Sequence, residues 1–235
     1  MALEQNSSTP LGFGNTGVLP SVRRNQVLRT TYWLLAISMI PTVLGAWIGV
    51  QTGFSLFADS PIIGLVVFLA VAFGFMFAIE RFKTSGIGVA LLLGFTFFMG
   101  LMLSRLIGSV LGFANGGTLV MTAFGGTALI FGVMATLATV SKRDFSGLGK
   151  WLFVGFLVIF VASIANIWLH LPALMLTISV LAIGIFSLFM LVDVQRVVNG
   201  GETNYITATL AIYLDVYNVF ANLLALLGIF GGERD

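Results

Sequence analysis

Six apolar runs without a single charged side chain, at residues 33–50, 61–79, 87–104, 119–140, 151–169 and 172–192, set the terms on which this chain can fold. Each is long enough for a helix, rising about 1.5 Å per residue, to cross the roughly 30 Å hydrocarbon layer of a bilayer. A seventh run, 205–230, is also long enough but is interrupted by Asp215, and hydropathy alone would discard it. Lipid offers no water to a bare backbone amide, so continuous apolar segments become helices that satisfy their own hydrogen bonds. The strict alternation of an outer-membrane barrel is absent. The expectation is an all-α integral membrane protein: one seven-helix transmembrane domain over residues 32–235, behind a polar tail at residues 1–31.

Charge supports that reading. Only 9% of the 235 residues are charged and 58% are hydrophobic, where a soluble domain carries about 25% charged residues. There is no cysteine and one histidine, His170, so disulfides, thiolate metal sites and multi-histidine sites are excluded. The formal charge of +2 does not point to nucleic acid, because the basic residues are scattered among connectors instead of forming a patch. Their placement reads as topology. Arg23, Arg24 and Arg29 precede the first run, Arg81 and Lys83 follow the second, Lys142, Arg143 and Lys150 follow the fourth, and Arg196 follows the sixth. The intervening connectors hold Asp59, an uncharged Asn115-Gly116-Gly117, and His170. Cytoplasmic loops carry the lysine and arginine excess, so the N-terminus is expected in the cytoplasm and, after seven crossings, the C-terminus outside.

The tail reads as disordered, with a basic anchor, and lacks the order of a cleaved signal peptide. Arg105 is expected to snorkel at the outer end of the third helix. His170 reads as interfacial. Pro41 is expected to kink the first helix. Gly45 and Gly49, and Gly125, Ala128 and Gly132, have the small-residue spacing that lets helix backbones approach closely.

The chemistry concentrates near the end of the chain. Asp193 closes the sixth run and Asp215 lies inside the seventh, 22 residues later. Gly200 and Gly201 suit a left-handed helix end, and Thr203 or Asn204 suits the next N-cap. Counting from that connector, Asp193 lies roughly 9 Å back along its helix and Asp215 roughly 16 Å into the next, so modest tilt or stagger would let them meet. Asn218 and Asn222 follow Asp215 on one helix face, with Ala208 and Ala211 before it. An ionisable group costs roughly 2.5 kcal/mol or more at mid-membrane, which turns this stripe inward and makes the last helix central. Tyr213 and Tyr217 flank Asp215 and could donate hydrogen bonds to it.

If the carboxylates pair, they share one proton, and losing it adds repulsion that parts the helices. The freed oxygens suit a hard cation such as calcium, in transit more than in storage, because calcium takes about 6 to 8 oxygen ligands. The plainer reading is an interior acid kept neutral by hydrogen bonds to Tyr or Asn.

Several segments in order resemble the Bax inhibitor-1 family: Ala123-Phe-Gly-Gly-Thr-Ala-Leu-Ile-Phe131, Ser141-Lys-Arg-Asp-Phe-Ser-Gly-Leu148, and the end from Gly200 through Glu-Thr-Asn-Tyr to Leu214-Asp-Val-Tyr-Asn218. The Gly-Gly-Glu-Thr-Asn-Tyr-Ile stretch is similar to the bacterial YccA-like branch. The resemblance covers all seven runs. It implies a seven-helix fold with the last helix at its centre and, as in the best understood bacterial members, a pH-sensitive calcium leak governed by two aspartates, which carry over to Asp193 and Asp215. A basic latch residue at the inner end of the second helix is also implied, where this chain has Glu80 and Arg81. The Gly-Pro pair common in the third helix has no counterpart between Gly100 and Gly112. The YccA-like branch implies, as the alternative function, association with and modulation of the FtsH membrane protease. The polar tail suits engagement by such a protease, since flexible termini are where proteolysis begins.

Two membrane aspartates also describe intramembrane aspartyl proteases. Those carry Gly-Xaa-Gly-Asp and Tyr-Asp motifs, whereas the aspartates here stand in Leu191-Val-Asp-Val194 and Tyr213-Leu-Asp-Val216. Neither a His-Glu-Xaa-Xaa-His motif nor a phosphate-cradling loop is present. The reading is a protein that is not an enzyme, needs no resident cofactor, and takes calcium as a transported ion.

Overall fold

Each apolar run folds into a helix that matches or extends it. The computed structural model describes residues 21–56 and 60–232, with side chains from residue 25 onward. The helices are α1 (Ser21–Thr52), α2 (Pro61–Phe82), α3 (Gly86–Leu111), α4 (Gly116–Val140), α5 (Leu148–Leu169), α6 (Pro172–Val198) and α7 (Tyr205–Gly231). All seven are long and apolar enough to cross a membrane. The described residues contain no strand.

One boundary differs from the sequence reading. Residues 21–31, expected in the tail, form the opening turns of α1, and the helix continues through Pro41 without interruption. Residues 1–20, the side chains of Arg23 and Arg24, and Asp59 lie outside the described residues.

Local chemistry sets the other ends. Ser60 caps α2, its hydroxyl accepting from the Ile63 amide at 3.4 Å, and Pro61 follows where a missing N–H is harmless. Asn204 caps α7, its side-chain oxygen accepting from Ile206 at 2.8 Å and Thr207 at 3.2 Å. Gly200, at φ 77°, takes the left-handed turn after α6. His170 closes α5 at φ 49°.

The last helix is central. α7 packs against α1, α2, α3, α4 and α6, and within it only Ile229 and Phe230 are exposed. Its Ile206, Ile212 and Tyr213 cluster with Ile79, Leu92 and Phe95, its Val219 with Met190, and its Leu224 with Val110. α5 stands at the rim against α6. Phe73 and Phe77 of α2, with Trp151 and Val158 of α5, face outward, as lipid-facing surfaces require.

Between helices in lipid there is no water to exclude, so close van der Waals contact drives association. The pair α1 and α3 achieves it through glycine. A Cβ on Gly100 would stand 2.1 Å from the Thr42 carbonyl oxygen, one on Gly45 2.2 Å from the Phe97 carbonyl oxygen, and one on Gly49 2.4 Å from the Ser104 hydroxyl. The α4 glycines do otherwise: Gly125 and Gly132 are exposed and would meet nothing within 4 Å. Their spacing is that of a packing motif, but their face of α4 points away from the neighbouring helices.

Candidate functional site: an acidic cluster between the last two helices

Asp215 sits near the middle of α7 and is 5% exposed, because the helix carrying it is surrounded. One of its carboxylate oxygens, Oδ2, is buried with no hydrogen-bond partner. A buried polar atom left unpaired is costly, and such atoms mark strain, function or an unfilled ligand position.

Asp193 lies on the adjacent helix. Its Oδ1 is 3.3 Å from Nη2 of Arg196, one turn further along α6, and its side chain is 13% exposed where Arg196 is 52% exposed. Asp215 is within electrostatic range of both Asp193 and Arg196, and Asp193 is within range of Glu202. The structure therefore brings Asp193 and Asp215 into one electrostatic cluster, yet no hydrogen bond joins the two carboxylates. Asp193 takes the guanidinium instead.

The supporting residues behave differently from the sequence reading. Tyr213 and Tyr217 do not donate to Asp215. The Tyr213 hydroxyl bonds the Thr42 hydroxyl of α1 at 2.8 Å and donates to the Thr96 carbonyl of α3 at 3.4 Å, while Tyr217 donates to the Met99 carbonyl at 3.2 Å. Tyr213 thus reaches α1 and α3 and Tyr217 reaches α3, whereas the charged groups that act on Asp215 are on α6. Asn218 and Asn222 donate to their own helix, to the Leu214 and Asn218 carbonyls, both at 2.8 Å. The interior acid is thus not held by the neighbouring Tyr or Asn side chains.

At the end of α2, Glu80 pairs with Lys83, and Arg81 is exposed without an ion pair to a described residue. The basic group at the aspartates is Arg196, which the alternation of charged connectors had absorbed as a topology signal. Its i, i+3 spacing from Asp193 was the available clue.

A second residue was not legible. Gln195, 3% exposed, lies between Asp193 and Arg196 and clamps the α4–α5 connector. Its oxygen accepts from the Phe145 amide and its nitrogen donates to the Arg143 carbonyl, each at 2.7 Å. The connector after α6 is fastened too: Gly201 and Glu202 amides donate to the Arg196 carbonyl, Glu202 accepts from the Thr203 and Asn204 amides, and Asn204 donates to the Lys83 carbonyl at 2.7 Å. One turn of α6 thus joins the acidic cluster to two connectors at the same end of the bundle. Among the described residues, no three His, Asp or Glu side chains are grouped to hold a metal ion.

Known proteins resemble this chain along most of its length. The family described as Inhibitor of apoptosis-promoting Bax1 matches residues 24–232. An uncharacterized protein of Neisseria meningitidis serogroup A is 38% identical, over 91% of this chain and 95% of its own. The Modulator of FtsH protease YccA of Escherichia coli K12 is 35% identical over 87% of this chain and 90% of its own, as is the Inner membrane protein YccA of Escherichia coli O6:H1.

Proposed function

The chain belongs to the Bax inhibitor-1 family, and on that footing we propose that it works in the inner membrane as a YccA-like modulator of an FtsH-type membrane protease. The observation that carries this reading is the 35% identity, across 87% of the chain, to a protein named for that role. The chain acts here as a binding partner, through the polar segment at residues 1–31 and the connectors gathered on α6. The matching orientation has the N-terminus, the α4–α5 connector and the α6–α7 connector in the cytoplasm and the C-terminus in the periplasm. No catalytic step belongs to this reading. Co-purification with the host's FtsH in mild detergent is the expected result, together with a changed rate of degradation of FtsH substrates when the chain is overexpressed. Absence of association together with an unchanged degradation rate would remove the proposal.

The unpartnered Asp215 oxygen favours a second activity, a pH-sensitive calcium leak, which is compatible with the first. In this reading Asp193 and Asp215 form the ion and proton site, and Arg196 supplies the positive charge that the family's latch residue would supply from the second helix. Displacing Arg196 leaves two carboxylates that repel and offer hard oxygens to a passing calcium ion. Two carboxylates are too few for tight storage, so weak transit follows. In calcium-loaded proteoliposomes, Asp215→Asn is expected to abolish the pH dependence of flux. An unchanged flux and pH response would sink this activity without touching the protease reading.

A further inference from the structure

At the end of the bundle remote from the acidic cluster, the contact between α1 and α3 runs out. It passes through Gly45, Gly49 and Gly100 to Ser104 and reaches Val50 beside Gly108. Beyond it, Gly53 takes a left-handed conformation at φ 64°, and the Phe54 amide closes back onto the Gly49 carbonyl at 2.9 Å. The chain turns away there and leaves a cavity of about 370 Å³ between the start of the α1–α2 connector and the last turns of α3. Its walls are largely apolar, with Phe54, Leu101, Met102 and Leu106 among them, and Arg105 enters it beside Ser55.

Arg105 carries five N–H donors in a fixed plane. It makes one long hydrogen bond, 3.4 Å from Nη1 to the Ser55 hydroxyl, and no ion pair with a described residue. The guanidinium is exposed, and its hydrogen bond reaches Ser55, three residues beyond the end of α1. Arg105 lies six residues before the end of α3, roughly 9 Å inside the helix end, a depth from which its long side chain can reach the headgroups.

We infer that this cavity holds an anionic phospholipid, its phosphate on Arg105 and the first part of an acyl chain along Leu101, Met102 and Phe54. A planar guanidinium takes a phosphate through two parallel hydrogen bonds, which a point charge does not. Arg105 gives the described walls a positive charge, so a net negative headgroup is preferred over a zwitterionic one. The apolar walls continue into the lipid-facing surface, which suits an amphiphile better than a free anion.

The full chain in mild detergent, titrated with phosphatidylglycerol, phosphatidylethanolamine or inorganic phosphate and read by native mass spectrometry, tests this. Wild type is expected to retain phosphatidylglycerol about tenfold more tightly than phosphatidylethanolamine, because both phosphates can pair with Arg105 but the ethanolamine ammonium adds a like charge beside it. Arg105→Gln is expected to remove that preference, and Met102→Trp, which fills the cavity and leaves the guanidinium, to lower retention of phosphatidylglycerol by a similar factor. Arg29→Gln, at the other end of the bundle, is expected to leave the preference intact. Equal retention of the two lipids by wild type, or undiminished retention of phosphatidylglycerol in either cavity variant, overturns the inference. Displacement of the lipid by millimolar inorganic phosphate overturns the lipid as the occupant. Should Arg105→Gln fail to fold, Met102→Trp and Arg105→Lys, the latter expected to bind more weakly than wild type, decide the matter.

Discussion

The guanidinium of Arg196 and the carboxylate of Asp193 stand 3.3 Å apart on one turn of α6, so the less buried of the two aspartates already has a counter-ion while Asp215 has none from a side chain. Removing that counter-ion leaves Asp193 facing Asp215 and Glu202. Because Arg196 is half exposed, the pair is discounted toward the surface range, and Arg196→Gln is expected to cost about 1 kcal/mol, with Arg196→Lys recovering most of it. The unfolding midpoint in mild detergent reads the difference. An unchanged midpoint in Arg196→Gln would mean that the pair stabilises nothing.

Close approach of α1 and α3 leads to a sharper stability test. Gly100→Ala places a methyl group 2.1 Å from the Thr42 carbonyl oxygen, a backbone atom that cannot step aside. Forcing the helices apart is expected to cost about 1–3 kcal/mol. Gly74→Ala, whose Cβ meets nothing within 4 Å, is the control and is expected to be neutral or slightly stabilising. Comparable unfolding midpoints for the two variants would contradict the packing described here.

Gln195 holds the α4–α5 connector by two hydrogen bonds to backbone atoms. Gln195→Ala is expected to release that connector and to raise the rate of limited tryptic cleavage after Lys142 and Arg143, both exposed, severalfold. Cleavage after Arg81, in the last turn of α2, is the internal reference. No change in the ratio of the two rates would show that the clamp does not restrain the loop.

The same connector titrates in a defined direction. Hydrogen bonds from the Ser146 amide, 2.9 Å from Asp144 Oδ1, and from the Ser146 side chain hold the Asp144 carboxyl below the ordinary carboxylate range. A lowered folded-state value means a contribution that is present above the unfolded value and lost as pH falls through the folded one. The Ser146 amide resonance is expected to shift on acidification with a midpoint below that of an unperturbed aspartate, and Asp144→Asn is expected to abolish the shift. A midpoint in the ordinary range would remove the hydrogen bond from the account.

Span number and the central place of α7 were legible because lipid imposes one rule on every segment, and because a lone Asp215 in an apolar run had to face inward. The beginning of α1 was not, since residues 21–31 are polar enough to pass for tail and only the structure extends the helix through them. Side-chain partners were the least legible. Tyr213 lies two residues before Asp215, about 200° away around the helix, so it reaches Thr42 and Thr96 on helices that sequence proximity does not name. Asn218 and Asn222 do share the Asp215 face, but their amides are spent on their own helix. Arg196 shows the opposite failure: its spacing from Asp193 was visible, but the topology pattern already explained its presence.

The proposed modulation of an FtsH-type protease is read by reconstituting FtsH with a membrane substrate in proteoliposomes, with and without the full chain, and timing substrate degradation. A different rate is expected when the chain is present, growing with its ratio to protease. An identical rate at every ratio, with both proteins shown to be in the same vesicles, would contradict it.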